Sequence, residues 1–175
     1  MFDNLEAIHP DLYYFIPQSN IDSLKAEVIK ELDKPMTRLD FARKVIPLVV
    51  ALGDGHTSLS FPSEERNDYL DKDGGIFPFE VMIRENRLII ASNWSYDESI
   101  EAFSEILSIN GVSSGKILNT MRQFVSAELD HFRDARIERT FRFHLWAIFG
   151  FEDDYVLELK DDGDIKITEV TGVTK

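Results

Sequence analysis

The stretch Leu52-Gly53-Asp54-Gly55-His56-Thr57 concentrates the side chains most able to do chemistry in this 175-residue sequence. Histidine titrates near neutral pH and can take a proton from a nucleophile as a general base. Glycines just past a helix place such a side chain at an element edge, where clefts form. Read alone, a histidine in a turn is more often structural or merely exposed. Asp54 and His56 could also start a metal site, but no third ligand stands near them in the chain, so neither metal nor cofactor is expected. A second pattern, Gly111-Val112-Ser113-Ser114-Gly115, matches the nucleophile elbow G-x-S-x-G letter for letter. Its partners would have to come from Asp130, His131, Asp134 or His144. The simpler reading is a strand-to-helix turn in which Ser113 or Ser114 caps the helix. His9, His131 and His144 read as structural histidines. Glu152-Asp153-Asp154 reads as a solvated turn, and Asp161-Asp162-Gly163-Asp164 lacks the spacing of a calcium loop.

Composition narrows the classes further. The net charge of −13 opposes binding to phosphate backbones and acidic lipid surfaces, so no nucleic-acid partner is expected. Hydrophobic residues at 43% and charged residues at 29% describe a globular chain with a real core. Without cysteine there is no disulfide, thiolate zinc site or cysteine nucleophile. No apolar run has the length of a membrane span, and the start shows no signal-peptide pattern.

The elements that must position these residues fall into two groups. Leu5, Ile8, Leu12 and Phe15 repeat with helical period, interrupted by Pro10 and Pro17. Asn20 can cap a second helix through about Asp33, and Thr37 a third that Pro47 should kink and Gly53 should stop. Period-two alternation then predicts a short strand over 57–61, a loop over 62–75, a hairpin of strands around Phe79–Ile83 and Arg87–Ser92, and a strand over 106–109. A helix is predicted over 114–128. Residues 136–149 read as helix, with strand open for part of them. A closing hairpin of Tyr155–Leu159 and Ile165–Val170 is predicted around Asp161-Asp162-Gly163-Asp164. The pattern changes near residue 56, and the division adopted is a helical unit 1–60 and a β-rich unit 61–175. The fold class is α+β.

Ile8-His9-Pro10-Asp11-Leu12-Tyr13, the helix pair and Leu52–Thr57 together resemble the N-terminal part of tricorn-like serine peptidases of family S41. Glu105-Ile106-Leu107-Ser108-Ile109-Asn110-Gly111 followed by a helix resembles the PDZ signature of strand, I-N-G turn and helix. The resemblance covers about residues 5–125 well and 130–175 loosely. It implies a small helical bundle followed by a PDZ-like, partly open β-barrel with one or two helices. It also implies that His56 is the catalytic base for peptide hydrolysis, whereas the serine and its oxyanion donors have no match in this chain. The implied protein is the front of a serine endopeptidase whose catalytic core domain lies elsewhere. It would act on peptides or unfolded proteins and be exported to a bacterial periplasm or cell envelope. The tricorn protease has a serine directly before its histidine; this sequence has Gly55.

In the PDZ-like part, the place of the carboxylate-binding loop falls to Gly75-Ile76-Phe77-Pro78. Gly75, Ile76 and Phe77 are therefore the expected substrate-binding residues. Phe77 replaces the usual second glycine, and Pro78 has no N–H to donate. The loop thus serves either to position substrate or to pack the domain. The alternative for the whole chain is a non-catalytic, PDZ-like peptide-binding or scaffold module.

Overall fold

A computed structural model describes residues 2–174. The fold is α+β, with helices first and an antiparallel sheet after them. The helical front holds α1 (Phe2–Ile8), α2 (Gln18–Glu31) and α3 (Arg38–Val50). Pro17, with φ of −57° and ψ of 138°, stands at the N-cap position, so α2 starts at Gln18 rather than after a cap on Asn20. Thr37 caps α3 as its sequence implies, accepting from the Asp40 N–H. The helix then runs through Pro47 to Val50. Ile21, Leu48, Val49 and Leu52 bury their side chains between α2, α3 and the turns after α1.

Residues 63–70 form α4 (Ser63–Leu70), where a loop was expected. The sequence has almost no apolar period there, so nothing in the pattern announced a helix. Its first turn carries Glu64 and Glu65, which favour a helix N-terminus and pair with Arg38. Its last turn carries Tyr69, which stacks on Trp146. The short strand expected at 57–61 is absent. Phe61 instead turns into a cluster with Ala42, Ile46, Trp146 and Ala147, so this segment packs by side chains rather than by a ladder.

The sheet comprises β1 (Phe79–Arg84), β2 (Arg87–Asn93), β3 (Glu105–Ile109), β4 (Val112–Ser113), β5 (Asp154–Asp161) and β6 (Asp164–Thr171). Its order is β1-β2-β3-β5-β6, all antiparallel, with β4 beside β3. The sheet is not closed into a barrel. Among the described residues the flanks of its two edge strands meet in one antiparallel bridge, between Ile76 and Val173. At that seam the chain passes so closely that a Cβ on Gly172 would lie 2.7 Å from the Gly75 carbonyl carbon.

Two helices cover the inner face of the sheet. α5 (Ser114–Met121) ends earlier than its apolar period suggests, passing through a 3₁₀ turn at Arg122–Phe124 into buried extended chain at 125–127. α6 (Asp130–Phe149) starts six residues before the predicted helix and is helical throughout. Arg133 donates to the carbonyls of Val125 and Ala127, and Arg136 to that of Ser126. Buried carbonyls need such partners, and α6 supplies them by starting early enough to carry both arginines. Phe77, Phe79, Phe141 and Tyr155 meet at the centre of this core, with ring centroids 5.1–5.7 Å from Phe77.

Candidate active site around His56

His56 sits on the loop that follows α3. Gly53 starts the loop with φ of +75°, and a Cβ there would lie 2.9 Å from Phe15 Cβ. Only glycine meets both conditions without strain. Asp54 comes next and is buried. Its Oδ1 accepts from the His56 backbone N–H at 2.9 Å, and its Oδ2 accepts from the Thr57 hydroxyl and from His9 Nε2 at 3.0 Å. Burial works to raise the Asp54 pKa, but donation from Thr57, His56 and His9 outweighs it and brings the carboxyl down to about 2. Asp54 is therefore a fixed anion that shapes the loop from inside. The His56 side chain stays exposed.

The His9 ring has a defined tautomer. Its Nδ1 accepts from the Asp11 N–H at 3.2 Å, so the proton lies on Nε2 and faces Asp54. The histidine of the His9-Pro10-Asp11 motif and the carboxylate of the Gly53–Thr57 motif are one hydrogen-bonded unit. Their distance in the sequence hid this, and neither had been singled out as a partner of the other.

The other sequence candidates lie elsewhere. Ser113 is the N-cap of α5, and its hydroxyl accepts from the Lys116 N–H. Ser114 donates to the Ile106 carbonyl. Among the described residues no histidine hydrogen-bonds to either serine. Asp130 and Asp134, proposed as acids for an elbow, pair with Arg133 and Arg122. No three residues of metal-binding type stand together among the described residues.

At the PDZ-like loop, Gly75 N–H donates to Asp153 Oδ1 at 2.8 Å and Ile76 N–H to the Val173 carbonyl at 3.1 Å. The Gly75 carbonyl accepts from the Tyr69 and Tyr155 hydroxyls. Phe77 is fully buried, and its carbonyl accepts from Arg142 Nε at 2.6 Å. Along β1, the Ile83 N–H donates to Glu138 Oε1 at 2.6 Å. Two side chains of α6 thus occupy main-chain groups on the sheet edge that an added peptide strand would use.

No protein-family description matches the sequence, and no curated protein matches it. Solved structures do match in fold. Mature CPAF in complex with lactacystin superposes with a TM-score of 0.59 at 13% identity, over 92% of this chain and 30% of that one. A serine-to-alanine mutant of CPAF gives 0.56 at 12% identity, over 97% and 33%. Mature CPAF alone gives 0.54 at 14% identity, over 86% and 28%. The chain thus shares its fold with CPAF and spans about a third of the length of those chains.

Proposed function

We propose that this chain is the N-terminal, non-nucleophilic region of a tricorn-like serine endopeptidase, with His56 as its catalytic base. In this reading a catalytic core domain provides the serine and the oxyanion donors, and the substrate is a peptide or unfolded protein. The observation that carries it is the Asp54 loop. A buried carboxylate fixes the backbone of His56 while leaving the imidazole exposed to meet a nucleophile from another domain. Preorganisation of this kind is what a general base requires. The CPAF-like fold over nearly the whole chain supports the reading.

The role this reading gives Gly75, Ile76 and Phe77 is to hold the seam between the sheet's two ends. The alternative, a peptide-binding module without catalysis, needs free donors beside those residues. The engaged Gly75 and Ile76 amides weigh against it.

The test uses the chain alone and joined to its serine-bearing core. Alone it should cleave no casein and take no fluorophosphonate label at Ser113. In the joined protein, His56→Ala should lower turnover by roughly 10²–10⁴-fold. Stability should stay within about 0.5 kcal/mol, as for exposed sites generally. Full activity in folded His56→Ala protein removes the catalytic role.

A further inference from the structure

A cavity of about 370 Å³ opens beside the His56 loop, between residues 58–61, 124–126 and the middle of α6. Gly55 and Ser58, on either side of His56 in the chain, form part of its wall. None of its lining residues is acidic, in a chain with 32 carboxylate residues. Two lining residues are Arg136 and Arg139. Six of the chain's other arginines form ion pairs, whereas these two form none among the described residues.

Arg136 is aimed by the backbone. One terminal nitrogen, Nη1, donates to the carbonyls of Gly55 and Ser126. Its Nε and Nη2 have no partner among the described residues, which leaves open one edge of a planar two-donor fork. Ser126 lies in the same wall at 5% exposure, and its hydroxyl is buried without a partner among the described residues. An orphaned buried hydroxyl is costly unless something satisfies it.

His144 completes the polar set. The Thr140 hydroxyl donates to the Arg136 carbonyl, so it accepts from His144 Nδ1 at 3.0 Å. That places the ring proton on Nδ1 and leaves Nε2 as an acceptor with no partner among the described residues. Phe61, Phe124 and Phe143 supply apolar wall, the last with the Arg66 guanidinium 5.3 Å from its ring.

We propose that this cavity binds a peptide carboxylate, with the two oxygens on the Arg136 fork, Arg139 adding charge at the rim, and an adjoining apolar side chain against the phenylalanines. His144 Nε2 suits an N–H of the same peptide. It would repel a further anionic oxygen, which disfavours a tetrahedral phosphate. The carboxylate rests on the cavity alone; a peptide as its carrier rests on the protease reading above.

The experiment is an NMR titration of the 175-residue chain with four probes: N-acetyl-Ala-Phe as free acid, its amide, N-acetyl-Ala-Asp-Phe-amide, and 3-phenylpropionate. The free acid should shift the amides of Ser126 and of residues 136–144, and its amide should not. Arg139→Gln, an exposed change, should weaken the free acid about tenfold, as should Arg136→Lys, which keeps the charge and loses the fork. Binding of the Asp peptide as tightly as the free acid would support the carboxylate site and assign it to side chains rather than chain termini. Phenylpropionate binding as tightly as the dipeptide acid would overturn the peptide carrier and leave the carboxylate. Equal binding of acid and amide, no shift at millimolar acid, or unchanged affinity in a folded Arg139→Gln protein would overturn the site itself.

Discussion

His9 and Asp54, 45 residues apart in the chain, are joined by a single hydrogen bond of 3.0 Å. It ties the turn after α1 to the loop that carries His56. Asp54 is the junction, since it also receives the His56 amide and the Thr57 hydroxyl.

Asp54→Ala should therefore cost more than His9→Ala. The first leaves three donors without their acceptor, at about 1–3 kcal/mol for those that stay buried, and the second removes one bond worth about 1 kcal/mol. Urea unfolding measures both. Hydrogen exchange at the His56 amide adds a local readout, and it should speed up in Asp54→Ala but little in His9→Ala. Equal stabilities of the two variants would mean that Asp54 does not organise the loop.

Acid should weaken the fold in two stages. Burial pushes His144 down to about 4 from its ordinary 6.5. A base held neutral in the folded state contributes fully above pH 6.5. As pH falls from 6.5 to 4 the unfolded chain gains a proton that the folded chain refuses, so stability drops, by about 3 kcal/mol at most. Asp54 has the opposite chemistry and the same sign. Its folded carboxyl titrates near 2, so its contribution is present above about 3.8 and lost between 3.8 and 2. Unfolding free energy measured from pH 8 to 2 should decline first in the upper window. His144→Phe should flatten that upper decline alone.

The seam offers a steric test. Gly172→Ala places a Cβ 2.7 Å from the Gly75 carbonyl carbon and 2.9 Å from the Asp153 carbonyl oxygen, both backbone. It should destabilise by about 1–3 kcal/mol, as overpacking does. Gly111→Ala has no atom near its Cβ, although φ of +75° adds strain there. Melting temperatures that rank Gly111→Ala below Gly172→Ala would show that the seam yields.

Carboxyl-terminal peptides should bind the Gly75–Val81 segment only weakly, with dissociation constants of roughly 0.1 mM or above. The Gly75 and Ile76 amides are already used, Pro78 has none, and Glu138 holds the Ile83 amide. Shift mapping with a peptide library is the measurement. A micromolar complex centred on that segment would require α6 to move away from β1.

α2, α3, the two hairpins and a serine cap on α5 were legible because each is a local event, set by period, capping residue or a two-residue turn; the helical period drawn on through Leu12 and Phe15 was not, since α1 stops at Ile8 and turns follow. What was not legible depended on distant partners. α4 has a polar sequence and is held by Arg38 from α3 and Trp146 from α6. The segment after His56 reads as a strand by alternation, yet Phe61 is drawn into a side-chain cluster. The early start of α6 follows from the carbonyls at 125–127 that its arginines satisfy. At the site, the sequence marks His56, whereas the roles of His9, Arg136 and His144 depend on residues brought together only by folding.

The bridge between Ile76 and Val173 joins residues roughly a hundred positions apart, at the two extremes of the sheet. During synthesis the ribosome must release nearly all of this chain before that clasp can form. The helices at the front carry local contacts and can fold as they emerge, while the two ends of the sheet cannot be joined until Val173 has emerged. Val173 thus decides when the two ends of the sheet are joined, although it does not line the cavity beside His56.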